Sequence, residues 1–99
     1  MIVVVAKLRA QDGKQAEVEA ELRKLVDHVR ATEPGTLTYV FNRSSSDARQ
    51  FLFYERYEDP SALAAHSGSD GFKAAFRVIG PMLDGRPEIE MYEEVAGKI

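Results

Sequence analysis

Cysteine and tryptophan are absent from the 99-residue chain. Without thiols there can be no disulfide, no thiolate metal site and no cysteine nucleophile. The lack of disulfides suits a reducing compartment, so a cytoplasmic location is expected. Histidine is scarce: His28 and His66 are the only two, in neither HxH nor HExxH spacing, so no catalytic metal is expected. No GxGxxG follows a strand and no GxxxxGK[ST] occurs, which argues against a nucleotide cofactor. Ser44, Ser45 and Ser46 lack a GxSxG context and read as a turn. Cationic charge is also short, with a formal net charge of −3 and dispersed Lys and Arg, so a nucleic-acid partner is not expected. No apolar run approaches the roughly 20 residues of a membrane span, and the Ile2–Ala6 run is too short for a signal peptide.

What is present is ordinary globular material, with 44% hydrophobic and 29% charged residues. The length fits one domain, residues 1–99, with one core. Ile2 to Arg9 is β-branched at its start and reads as a strand ended by Gln11-Asp12-Gly13. A helix is expected from Gly13 to about Thr32, with Asp12 as N-cap. Val18, Leu22, Leu25, Val26 and Val29 give it one apolar stripe. Glu33-Pro34-Gly35 stops it, because the residue before proline leaves the α region.

Strands are expected at Thr36–Arg43 and Phe51–Tyr57, joined by a polar hairpin loop. In the first, Leu37, Tyr39 and Phe41 alternate with Thr38, Val40 and Asn42. A second helical region opens at Glu58-Asp59-Pro60-Ser61, breaks at Gly68, resumes after Ser69 or Asp70, and ends at Gly80-Pro81. A last strand runs from Pro87 to Val95. The order β-α-β-β-α-β is the ferredoxin-like α+β plan, an antiparallel four-stranded sheet with its helices on one face.

The first and third strands are apolar on both sides (Ile2-Val3-Val4-Val5-Ala6 and Phe51-Leu52-Phe53-Tyr54). Such runs belong to strands buried on both faces. Helices can cover one face, and the chain has no further element for the other. A second copy packed sheet on sheet is the simplest cover, so a homodimer is expected.

Two side chains are candidates for proton chemistry. His66 can exchange a proton near neutral pH, although a histidine in a helix often has no such duty. Glu55 lies mid-strand on the face of Phe51 and Phe53. It is either paired with a neighbouring cation or partly buried with a raised pKa. His28, among Asp27 and Arg30, reads as a solvated-face residue. Tyr39, Phe41, Phe53, Tyr57, Phe72, Phe76 and Tyr92 are aromatic candidates for the walls of a pocket between sheet and helices, where a ring-shaped substrate would stack.

Three stretches carry a family pattern: Glu33-Pro34-Gly35-Thr36-Leu37-Thr38-Tyr39, then Phe53-Tyr54-Glu55-Arg56-Tyr57-Glu58-Asp59, then Ala62-Leu63-Ala64-Ala65-His66 with Ser69-Asp70-Gly71-Phe72. In this order they resemble the antibiotic biosynthesis monooxygenase family, with its E-P-G-x-x-x-Y, F-x-x-x-E-x-Y and A-x-x-x-H runs. The resemblance implies a dimeric α+β barrel. It also implies a monooxygenase that uses a quinol or aromatic phenol and molecular oxygen without flavin, haem or metal. In the haem-degrading branch, an Asn, a Trp and an axial His stand where this chain has Lys7, His66 and Phe76, which argues against haem. The family's frequent second histidine is replaced by Gly71.

With His66 as base, Tyr39 or Glu55 would orient the ring oxygens, and Phe53, Phe72 and Phe76 would keep out water. The alternative is a small-molecule binder or an isomerase using the same pocket, the latter with phosphate-binding cations such as Arg43 or Arg56 turned inward. A structural dimer with a filled core is the plainest reading.

Overall fold

The computed structural model describes residues 1–99. Its strands are β1 (Ile2–Arg9), β2 (Thr36–Arg43), β3 (Gln50–Tyr57) and β4 (Glu88–Glu93), and its helices are α1 (Gln15–Thr32), α2 (Pro60–Ser67) and α3 (Asp70–Ile79). A single 3-10 turn at Gly80–Met82 follows α3. The fold is ferredoxin-like α+β: an antiparallel sheet in the order β2-β3-β1-β4, with the helices on one face.

Helix α1 lays Val18, Leu22, Leu25 and Val29 against the sheet, all essentially out of solvent. Each such burial contributes about 1.5–3 kcal/mol. They meet Ala6, Leu8, Phe51, Phe53 and Ile79 in one core. The expected N-cap is corrected: Lys14, not Asp12, precedes the first turn, and no side chain caps it. Gly13 takes a positive φ there, so the chain turns into the helix through backbone freedom.

The second helical region is two separate helices. Asp59 caps α2 by accepting from the Ala62 N–H at 2.8 Å, with Pro60 in the first turn. The Ser69 hydroxyl accepts from the Phe72 N–H at 3.1 Å and starts α3. The break at Gly68 lets both short helices turn a residue toward the same stretch of sheet, His66 from α2 and Phe72 from α3.

On β1, Val4, Ala6 and Leu8 face the helices while Val3, Val5 and Lys7 face away. On β3, Phe51, Phe53, Glu55 and Tyr57 face the helices and are buried. Strand β2 corrects the simple alternation. A bulge lies between Thr36, opposite Tyr57, and Thr38, opposite Arg56. Leu37 is the extra residue and stands half exposed, while Tyr39 and Phe41 face the core. The face away from the helices bears Val40, Tyr54 and Tyr92, with 47%, 38% and 50% of their surfaces exposed. No helix is long and apolar enough to cross a membrane.

Candidate functional site

A cavity of about 490 Å³ opens between the sheet and the two short helices. Val4 and Ala6 floor it, Phe53 and Tyr39 form one side, Phe72 and Phe76 another, and Ile89 and Met91 of β4 the outer wall. Ten of its fourteen lining residues are hydrophobic, and the polar exceptions include His66 and Glu55.

His66 sits among rings. Tyr39 and Phe72 meet it edge-on, with centroids at 5.0 and 4.9 Å, and Tyr57 is tilted beside it at 5.5 Å. Phe72 continues to Phe76 at 4.7 Å, and Tyr39 stacks on Phe53 at 4.7 Å. His66 is 4% exposed, yet its Nδ1 lies 2.6 Å from Glu33 Oε1. A carboxylate oxygen at this distance is suited to accept a hydrogen bond from Nδ1–H. The structure gives Nε2 no protein partner, and the ring lines the cavity.

Glu33 reaches His66 because of its own turn. It follows the last residue of α1, and Gly35 presses the turn onto α2 so closely that a Cβ there would come within 2.9 Å of the Ala62 Cβ. Glu33 Oε1 also accepts from the Thr36 hydroxyl at 2.8 Å, while its Oε2 is buried without a partner. Sequence reasoning took Glu33 as part of the helix stop and of the family's E-P-G run, with no partner or role in the site. Its signal was a carboxylate in the helix-ending E-P-G run, but its partner lies far along the chain.

Glu55 is 6% exposed and accepts from the Tyr57 hydroxyl at 2.6 Å. Burial, above all, pushes its carboxyl above the ordinary range. No Lys or Arg pairs with it: the neighbouring Arg56 is bidentate to Glu94 at 2.8 and 3.0 Å on the other face. Tyr39 lines the cavity, and its hydroxyl has no partner within the protein. Burial first, and the charges of Glu55 and Glu33 next, hold it protonated far above the usual phenol range. It is thus a hydrogen-bond donor at ordinary pH.

The structure brings His66, Glu55, Tyr39, Phe53, Phe72 and Phe76 to one cavity. Tyr57 lies behind Glu55, fully buried, as its hydrogen-bond donor. Phe41 stacks on Phe53 at 5.0 Å and supports that ring from outside the cavity. Tyr92 is a correction. It pairs with Val3 on the helix-free face and hydrogen-bonds Glu90, because strand alternation sends it opposite to Ile89 and Met91. His28 is also corrected: it is half-buried against Gly71 of α3, where any Cβ would strike its ring. No cluster of three or more His, Asp or Glu side chains is placed to hold a metal ion.

Two other concavities are polar. One, of about 550 Å³, lies at an end of the sheet and is lined by Lys7, Arg9, Arg43 and Arg86 among others. It has two hydrophobic residues and cannot grip an apolar ring. The other, of about 420 Å³, lies behind His66 and is lined by His28, Thr32, Glu33, Ser69 and Asp70.

Residues 1–78 match the family model described as antibiotic biosynthesis monooxygenase. Among solved structures, the chain is similar to a candidate antibiotic biosynthesis monooxygenase from Caulobacter crescentus CB15, with 40% identity, 96% of this chain and 90% of that one covered, and a TM-score of 0.90. It is also similar to a protein from Shewanella oneidensis, with 30% identity, 92% and 87% coverage and a TM-score of 0.83. A conserved protein from Methanosarcina mazei Go1 shares 26% identity over 95% and 92% of the two chains, with a TM-score of 0.86. No curated protein matches the chain.

Proposed function

Because the chain belongs to the antibiotic biosynthesis monooxygenase family, we propose that it oxygenates a quinol or aromatic phenol held in the aromatic cavity, with His66 as the base and the substrate itself as reductant. The observation that carries this reading is the orientation of His66. Glu33 occupies Nδ1, Nε2 has no partner within the protein, and the ring lines the aromatic cavity.

Removing the hydroxyl proton gives an electron-rich phenolate, which can reduce oxygen without a flavin, haem or metal. Oxygen adds to the ring carbon that bears hydrogen, and the O–O bond then breaks. One oxygen atom remains as a new carbonyl. The other leaves as water with the two hydrogens lost by the substrate, so the product is a quinone. The Tyr39 hydroxyl donates to a ring oxygen, and Phe53, Phe72 and Phe76 hold the ring and exclude water. Glu55 also lines the cavity, with a carboxyl raised above its ordinary range by burial, and is the second polar group that can orient the substrate oxygens.

The test is oxygen uptake against a panel of hydroquinones and polycyclic phenols. Turnover by the wild type and a kcat lowered about 100-fold in His66→Ala are expected. Equal turnover by the variant would remove His66 from the mechanism.

An isomerase of phosphorylated substrates is the weaker reading. The two cations it would use are engaged elsewhere, Arg43 with Glu19 and Arg56 with Glu94. A binder without turnover would fill the same cavity and consume no oxygen. The assembly proposed with this function is a cytoplasmic homodimer, joined through the face that carries Val40, Tyr54 and Tyr92.

A further inference from the structure

His66 is the only side chain that lines both the apolar cavity and the polar cleft behind it. The two spaces differ in chemistry. The first is walled mostly by hydrocarbon, and a ring that fills it displaces the water through which a proton could leave. The second is lined by Glu33, His28, Thr32, Ser69 and Asp70, groups that hold and pass protons through water. Glu33 belongs to the cleft and not to the cavity, and it touches His66 at 2.6 Å.

We propose that Glu33 is the positioning residue of His66 and its proton outlet, so that protons enter and leave the site through the polar cleft while the substrate ring occupies the aromatic cavity. The inference rests on the reading of His66 as the base. Glu33 Oε1 fixes Nδ1–H and so frees Nε2 to take the substrate proton. The imidazolium then passes its Nδ1 hydrogen to Glu33, and from there it goes to water in the cleft. This leaves the hydrogen on Nε2, from which it can be returned to the reduced oxygen as water forms. Nδ1 regains a hydrogen from Glu33, and the starting tautomer is restored with no net gain or loss of protons. The buried, unpartnered Glu33 Oε2 fits this role: a buried carboxylate oxygen calls for a hydrogen-bond donor, and the cleft is where one can enter.

Two substitutions separate positioning from transfer. Glu33→Ala removes the acceptor, and Glu33→Gln keeps an acceptor that cannot be protonated at ordinary pH. Nitrogen-15 NMR of the full chain without substrate is expected to show His66 with hydrogen on Nδ1 and none on Nε2. The same tautomer is expected in Glu33→Gln and its loss in Glu33→Ala. In oxygen uptake, Glu33→Gln is expected to lower kcat about 100-fold with KM unchanged within about twofold. Formate, small enough for the cleft, is expected to restore at least about tenfold of the rate lost in Glu33→Ala.

A wild-type His66 with hydrogen on Nε2 overturns the positioning role. Full turnover by Glu33→Gln, a change confined to KM, or no rescue by formate overturns the outlet. Should the wild type turn over no quinol or phenol, the function proposed above fails, and the tautomer measurement still decides the role of Glu33. It needs no variant, so a substitution that does not fold leaves the decision intact.

Discussion

The Tyr57 hydroxyl donates to Glu55 Oε1 at 2.6 Å, and both side chains are buried on the helix-facing side of β3. Burial raises the Glu55 pKa, and the hydrogen bond from Tyr57 opposes the rise. The folded chain therefore holds this proton more tightly than the unfolded chain. Its contribution to stability is full below the unfolded pKa and is lost as pH rises through the folded value. Chemical denaturation of wild type and Glu55→Gln across mildly acidic to neutral pH checks this. Wild type is expected to lose stability relative to the variant as pH rises, and a gain would contradict the assignment.

Tyr57→Phe removes the donor and leaves the ring. A loss of about 1–3 kcal/mol is expected, because a buried carboxyl is then left without its bond. Urea denaturation at neutral pH measures it. An unchanged midpoint would mean that the bond contributes nothing net.

Gly71 meets His28 so closely that Gly71→Ala must displace one of them. A cost of about 1–3 kcal/mol is expected from this overpacking. His28→Ala in the same chain should recover much of it, since the obstructing ring is gone. A double-mutant cycle reads the coupling, and additive losses would show that the strain lies elsewhere.

The helix-free face gives a test of assembly. Val40 and Tyr54 are cross-strand partners on it. Val40→Lys with Tyr54→Glu introduces charges that an apolar interface would have to desolvate. Sedimentation is expected to show a dimer for wild type and a monomer for the double variant. A wild-type monomer, or a variant dimer of unchanged affinity, would reject this face as the interface.

Phe72 touches both His66 and Phe76. Phe72→Ala should lower kcat/KM for a small hydroquinone by about tenfold and spare a bulkier polycyclic phenol that can fill the space. Equal losses for both would mean that Phe72 does not shape the cavity.

Much of this arrangement was legible beforehand. The stripe of α1, the E-P-G stop and the turn residues order the elements correctly because each is a local signal. The apolar alternation of β3 likewise places Phe53 and Glu55 together. The bulge at Leu37 was hidden, since Thr36-Leu37-Thr38-Tyr39 alternates as a regular strand would and only pairing with β3 shows the slip. Glu33 was hidden for a different reason. Its role depends on α2 packing against the turn, a contact between segments distant in sequence. Tyr92 was readable in part: the alternation that sets Ile89 beside Met91 sets Tyr92 with Glu88 and Glu90.

The outer wall of the cavity comes from Pro87, Ile89 and Met91, beyond the residues 1–78 that match the family model, whereas His66 and Glu33 lie within them. Ile89 and Met91 are more than half exposed, so few packing constraints hold their identities. A chain built this way can exchange that wall, and with it the shape of molecule it accepts, while its proton-handling residues stay as they are. Part of the recognition surface is thereby carried on a stretch of the chain separate from the one that carries the chemistry.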